Sequence, residues 1–271
     1  MCLIGLALDA HPRHALVIAA NRDEFHDRPA APLAWWQPAG NAPALLSGRD
    51  LEAGGTWMGV SRTGRLGLLT NVRAPHRRRH GAPSRGVLVT DWLATGRPAD
   101  AVWPDFVARG CNPFNLIGGD LATSRWWWAD DRSQRPRPLG PGVFGLSNAA
   151  LDTPWPKVER LKGALAAALS ARSNRHREDA DALRDALWNA LADRRGAPDG
   201  QLPDTGVGLE RERWLAPAFI AAPEGHYGTR CSTVLLGERI GAGWQLSVWE
   251  RSFDRRGALQ GERHESWRWS P

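Results

Sequence analysis

The first residue of this sequence that could do chemistry is a cysteine at position 2, directly after Met1. Methionine aminopeptidase removes Met1 when the next side chain is small, and this would leave a thiol and a free α-amine on one residue. An α-amine has an ordinary pKa of about 7.7–8.0, so it can serve as the base for the adjacent thiol. Cys2 is therefore either an N-terminal nucleophile or a small apolar residue of a buried strand.

The second chemical feature is the polar run Asn21-Arg22-Asp23-Glu24, which directly follows an apolar segment. A guanidinium beside a thiol favours the thiolate, and a carboxylate can hold or orient an α-amine. Adjacent residues of a strand point to opposite faces. We therefore do not expect Arg22 and Asp23 both to face Cys2 unless the strand bends or ends there. The alternative interpretation is a solvated charged turn.

The elements that must position these residues are two short apolar runs, residues 2–9 and 14–20, separated by the turn-like "AHPR". This pattern predicts a β-hairpin that is buried on both faces. Because the connection is short, the outer ends of the two strands meet. Cys2 is then expected opposite residues 20–23.

Later segments supply polar residues of similar type. "GRLGLLTN" (64–71) and "GVFGLSN" (142–148) both end in an asparagine, Asn71 and Asn148. An asparagine at a strand end can donate its amide to a developing oxyanion, or it can be a turn residue. Arg230 begins a late strand in "YGTRCSTVLL". It is either a surface residue or a third contributor to the same site.

The glycine-rich "SGRDLEAGGTWMGV" matches neither the P-loop nor the dinucleotide-binding fingerprint. Its Trp57 and the other tryptophans either wall an apolar pocket or pack in the core. We take Asn21, Glu24 and Trp57 as substrate-binding candidates. His26 is the one histidine that the sequence places near the proposed site.

Charge, cysteine content and the length of the apolar segments narrow the classes of function that this protein could have. The net charge of +6 comes almost entirely from arginine, and the densest basic run, residues 73–81, has no interleaved aromatic residues, so we expect no nucleic-acid partner. Three cysteines without CxxC spacing indicate no metal site and a reducing, cytoplasmic location. No segment approaches the roughly 18 apolar residues of a membrane helix. The expected ligand is a small molecule, and the oligomeric state is not indicated.

Hydrophobic periodicity predicts an α+β fold in one domain, residues 1–271, with both of its sheets covered by helices. Strands come first, helices lie in the middle and strands close the chain. Residues 26–53 are predicted to form a long ordered loop, and 195–228 a loop with one helical turn. The predicted strands fall within 2–9, 14–20, 54–72, 114–119, 123–129, 142–147 and 229–270, and the helices are 84–96, 98–110, 155–171 and 177–194.

Several of these motifs occur together in a known family. In order, "MCLI", "NRDEF", "GGTWMGV", "LLTNVR", "GLSNAALDTPWPKV" and "YGTRCSTVLL" resemble the NRDE family, also called the Transport and Golgi organisation protein 2 family. The resemblance covers residues 1 to about 240. That family in turn resembles the N-terminal nucleophile hydrolases of the choloylglycine hydrolase and penicillin V acylase group. The resemblance implies a four-layer αββα sandwich.

The resemblance also implies roles for individual residues. Cys2 stands where those hydrolases have their nucleophile, Asn71 and Asn148 resemble their two active-site asparagines, and Arg230 resembles their late arginine. The hydrolases carry Arg and Asp three residues apart, whereas Arg22 and Asp23 are adjacent here, so either this pair or Asn21 and Glu24 could fill those positions. The implied activity is hydrolysis of an amide, ester or thioester through an acyl-enzyme, with no cofactor required.

The alternative implied by the family is a carrier for haem or an acyl-CoA-like lipid on the same fold. The sequence has no CxxCH motif and no haem-ligand pair, although a single His or Cys can ligate haem.

Overall fold

A computed structural model describes residues 3–170 and 176–271 of the chain. They form thirteen strands, five α-helices and two short 3₁₀ segments. In chain order these are β1 (Leu3–Leu8), β2 (His14–Phe25), β3 (Ala30–Trp36), β4 (Leu45–Asp50), β5 (Met58–Ser61), β6 (Arg65–Asn71), α1 (Gly86–Ala94), α2 (Ala99–Ala108), β7 (Phe114–Asp120), β8 (Arg125–Asp130), β9 (Arg137–Leu139), β10 (Gly142–Leu146), α3 (Pro156–Ser170), α4 (His176–Leu191), α5 (Leu209–Leu215), β11 (Tyr227–Ile240), β12 (Gly243–Phe253) and β13 (Leu259–Trp269).

The chain divides into two compact units. Unit 1 contains the residues up to Asp27 together with Pro141–Ser147 and Leu151–Arg268. Its six-stranded sheet has the order β10-β1-β2-β11-β12-β13. Val17 and Ala19 of β2 and Val234 and Leu236 of β11 pack on one face against a cluster from α3 and α4 that includes Leu187. Because strand side chains alternate, the intervening residues of β2 and β11 lie on the opposite face.

Unit 2 contains Arg28–Gly140, Asn148–Ala150 and Trp269–Pro271. Its seven strands, β3 to β9, are neighbours in chain order, so the sheet is a meander. The helices α1 and α2 bury Trp92 and Trp103 against this sheet, where the ring of Trp92 meets that of Trp127 edge-on at 4.9 Å. Each unit therefore combines one sheet with helices packed on it, as each half of an αββα sandwich requires.

The α+β prediction is confirmed, and so are the N-terminal hairpin and the four long helices. The loop predicted for residues 26–53 is wrong, because β3 and β4 lie within it and pair through Trp35 and Leu46. Pro32 is tolerated in β3 because this is an edge strand. The Pro and Gly residues of the segment give no strand pattern, so the pairing of β3 with β4 could not be predicted from the sequence.

Two further predictions need correction. The single helical turn predicted within 195–228 is a helix of seven residues, α5. The three-residue strand β9 was not predicted, because it is too short for a periodic signal. The chain contains two compact units. The assignment of residues 1–271 to a single domain stays a prediction.

Candidate functional site in the NRDE strand

The polar run predicted either as a turn or as a site lies inside strand β2. Asn21, Arg22 and Asp23 are only 0%, 4% and 1% exposed, whereas Glu24 is half-buried. A solvated turn is therefore excluded. The hairpin pairing is as predicted, with Leu3, the first described residue of β1, opposite Asn21. Cys2, the predicted nucleophile, lies outside the described residues.

Asn21 is held by three hydrogen bonds on the helix-covered face. Its Nδ2 donates to the backbone oxygens of Leu191 at 2.9 Å and Ala218 at 2.8 Å. Its Oδ1 accepts from the hydroxyl of Ser232 at 2.6 Å. The side chain thus ties β2 to the end of α4, to the segment before β11 and to β11 itself. This is the geometry of a residue that holds the fold together, and the substrate-binding role of Asn21 stays a prediction.

Asp23 shares that face, two residues further along β2. Its Oδ1 accepts a hydrogen bond from the hydroxyl of Thr229 at 2.6 Å. The same Thr229 oxygen accepts from the backbone N–H of Ile220 at 2.9 Å. The Asp23 carboxylate is therefore positioned by a hydroxyl that is itself fixed by the backbone.

A β-bulge separates the surroundings of Arg22 from those of Asp23. Thr229 is paired with Asp23, but Cys231 is paired with Arg22, so Arg230 is the extra residue on β11. A bulge of this kind re-aims the side chains around it. Arg22 lies on the face opposite Asp23, as predicted for adjacent strand residues, and shares that face with Cys231.

Cys231 and Glu250 are buried polar residues on the Arg22 face that the sequence reasoning missed. Cys231 is 5% exposed and Glu250 on β12 is 2% exposed. Burial raises the pKa of the Cys231 thiol well above its usual value, and the nearby Glu250 carboxylate adds to this effect while Arg22 opposes it. The Thr233 hydroxyl lies 3.5 Å from Glu250 Oε2. Only the pairing of β11 with β12 brings these residues together.

Arg230 lies near the outer end of β2. Its Nη1 donates to the backbone oxygen of Phe25 at 2.7 Å. Burial lowers the pKa of its guanidinium, and the positive charge of Arg22 lowers it further. Burial likewise lowers the pKa of His26, with Arg230 as the next largest influence. The neutral imidazole is therefore favoured at neutral pH. Arg22, Arg230 and His26 thus belong to one neighbourhood, as the sequence indicated for His26.

In unit 2 the two predicted asparagines are in direct contact. Asn148 is 6% exposed, and its Nδ2 donates to the backbone oxygen of Asn71 at 2.8 Å. Its backbone oxygen accepts from the N–H of Arg73 at 2.7 Å. Asn115 holds the same segment by donating to Ala149 O at 2.8 Å. The two asparagines that end the similar segments are thus hydrogen-bonded to each other within unit 2.

Trp57 is only 7% exposed. Its ring covers Gly48 so closely that a Cβ there would lie 2.3 Å from the indole. Trp57 is therefore a packing residue of unit 2.

The part of the chain that the structure describes lacks two kinds of feature. No group of three His, Cys, Asp or Glu residues is arranged to hold a metal ion. No helix there is long and apolar enough to cross a membrane.

Two of the solved structures that this chain resembles are distant matches. A Caenorhabditis elegans N-acylethanolamine-hydrolyzing acid amidase ortholog is 12% identical, with a TM-score of 0.42, over 86% of this chain and 92% of the other. The C2A mutant of a conjugated bile acid hydrolase from Clostridium perfringens is 10% identical, with a TM-score of 0.38, over 98% and 96% of the two chains. At such scores these likenesses carry no argument about activity.

Comparison with curated sequences gives much closer matches. The Transport and Golgi organization 2 homologs of Mus musculus and Homo sapiens are each 34% identical over 93% of this chain and 93% of their own length. The Drosophila melanogaster protein is 26% identical over 87% of both chains. The family model described as "Transport and Golgi organisation 2" matches residues 1–255. The chain therefore belongs to the Transport and Golgi organisation 2 (TANGO2) family.

Proposed function

We propose that this chain is an N-terminal-cysteine hydrolase that cleaves an amide, ester or thioester bond of a small acyl substrate. One observation carries the proposal: Arg22 and Asp23 are buried on β2, directly beyond Asn21, the partner of Leu3. Cys2 is the residue before Leu3 in the sequence. The proposal takes its thiol to act beside this buried guanidinium and carboxylate.

In the proposed reaction the Cys2 thiolate attacks the substrate carbonyl. The α-amine left by removal of Met1 takes the thiol proton and returns it to the leaving amine, alcohol or thiol. Because Arg22 and Asp23 lie on opposite faces of β2, we assign them to different groups of the terminal residue: Arg22 favours the thiolate through its positive charge, and Asp23 orients the α-amine. A water molecule then hydrolyses the thioester, releases the acid and restores the thiol. A reducing cytoplasm would keep that thiol free.

The remaining assignments rest on the sequence resemblance. Asn71 and Asn148 are proposed as amide donors to the oxyanion. Arg230 and Glu24 are proposed to bind the polar end of the substrate. No cofactor is required by this chemistry.

Hydrolysis of a short-chain p-nitrophenyl ester and the matching p-nitroanilide by the intact protein tests the proposal. We expect activity in the wild type and its loss in Cys2→Ala, with a drop of about a hundredfold to a thousandfold in Asn148→Ala if its amide stabilises the oxyanion. Cys231→Ala is the matched control, because it removes a different thiol, and it should retain activity. Equal turnover by wild type and Cys2→Ala would overturn the proposal.

A second candidate, a carrier for haem or an acyl-CoA-like lipid, is favoured by the names of the relatives, which refer to transport and not to hydrolysis. Titration with haemin, followed by its absorption spectrum, tests the haem form. A saturable shift that Cys2→Ala abolishes would support a carrier with a thiolate ligand. An unchanged spectrum at micromolar protein would exclude haem as the ligand.

A further inference from the structure

The last strand, β13, forms an edge of the unit 1 sheet. Among the described residues it is hydrogen-bonded as a strand to β12 alone. Eight of its eleven residues are exposed, Glu265 and Trp267 are half-buried, and Trp269 at its end is buried. A strand of eleven residues with one open edge presents a row of backbone N–H and C=O groups that can pair with another strand.

Contacts with β12 fix which side chains of β13 share a face. Glu262 accepts from Arg251 at 2.7 Å, and the ring of His264 stacks on Trp249 at 4.7 Å. By alternation, Arg263 and Glu265 lie together on the opposite face. Within the described part of the chain neither of these two forms an ion pair. The contacts with β12 thus fix the register of β13. The opposite charges of Arg263 and Glu265, beside the centre of the strand, are available for a partner strand.

The charge pattern selects one partner. We propose that β13 pairs antiparallel with β13 of a second copy of this chain, about a two-fold axis at His264. In this register Arg263 lies opposite Glu265 of the second copy, and symmetry repeats the pair. Registers centred on residue 263 or 265 would instead place two arginines or two glutamates face to face.

Charged residues on an edge strand usually prevent such pairing. A strand whose charges all have one sign would repel the same strand of a second copy. Arg263 and Glu265 have opposite signs, so each can face the other residue in the second copy. Pairing through one strand from each copy buries a small area, so a weak, concentration-dependent dimer is expected.

Sedimentation equilibrium of the full chain across the micromolar range tests the proposal. We expect a monomer–dimer equilibrium in the wild type. Arg263→Glu places like charges opposite each other twice and should weaken dimerisation by roughly tenfold or more. The charge swap Arg263→Glu/Glu265→Arg restores both pairs at unchanged net charge and should restore the dimer. A monomer at every concentration, or a dimer insensitive to Arg263→Glu, would overturn the proposal.

Disulfide trapping tests the register itself. His264→Cys places two cysteines directly opposite each other across the axis, at a separation that a disulfide spans. Ser266→Cys is the matched control, because its opposite residue is Glu262. Selective cross-linking of the first variant supports the register, and equal or preferential cross-linking of the second contradicts it.

Discussion

Replacing Asn21 by alanine should be one of the most destabilising single changes in unit 1. The residue is 0% exposed, and its side chain makes three hydrogen bonds, to Leu191 O, Ala218 O and the Ser232 hydroxyl. Each such bond contributes about 0.5–1.5 kcal/mol net, and a buried group left without its partner costs about 1–3 kcal/mol. We therefore expect Asn21→Ala to lower the free energy of unfolding by about 3–5 kcal/mol.

Urea unfolding followed by tryptophan fluorescence measures this loss as a lower midpoint at an unchanged slope. Ser232→Ala removes one of the three bonds and should cost about 1–2 kcal/mol. Asn41→Ala, at an exposed turn, is the matched control and should change stability by less than about 0.5 kcal/mol.

The two substitutions also test whether the contacts act together. Asn21 and Ser232 share a hydrogen bond, so their costs should not add in the double variant. If Asn21→Ala costs no more than Asn41→Ala, then Asn21 does not hold β2, and the structural role inferred from its three hydrogen bonds is refuted.

Three further predictions concern charge, thiol reactivity and backbone packing. Hydrogen bonds from Arg195 hold the pKa of Asp193 below its usual value, so Asp193 stabilises the fold above its unfolded pKa, and that contribution is lost as pH falls through the lower folded value. Asp193→Asn should therefore lower the free energy of unfolding in urea by less than about 1 kcal/mol at neutral pH, because solvent screens this pair, and should not lower it in strong acid. The Cys231 thiol, with its raised pKa and 5% exposure, should react with a disulfide reagent only on unfolding; rapid labelling in the native state would contradict its assignment. A Cβ at Gly55 would lie 2.5 Å from the backbone of Gly86, so Gly55→Ala should cost several kcal/mol, whereas Gly54→Ala, at a positive φ but in open space, should cost about 1 kcal/mol by the same unfolding assay.

The sequence predicted the hairpin and the long helices because each depends on a local pattern. Apolar runs of six to eight residues and a 3.6-residue period need no knowledge of distant neighbours. Asn71 and Asn148 were found through the likeness of two short segments, and they are in contact at 2.8 Å.

Features that depend on distant pairing could not be predicted in this way. The bulge at Arg230 exists only because β11 pairs with β2, and it assigns Asp23 to Thr229 but Arg22 to Cys231. Glu250 comes from a third strand, twenty residues further on. Strands β3 and β4 were not predicted for the same reason, because they are recognised by their pairing and their Pro and Gly residues obscure any alternating pattern.

Intact-mass and peptide-mapping analysis of the purified protein, after reaction with an acylating electrophile, tests the central claim most directly. We expect Met1 to be absent and one acyl group to be attached at Cys2, with no label in Cys2→Ala and full labelling in Cys231→Ala. Retention of Met1 would remove the α-amine that the mechanism needs. Label at another residue, or label that persists in Cys2→Ala, would contradict the assignment of Cys2 as the nucleophile.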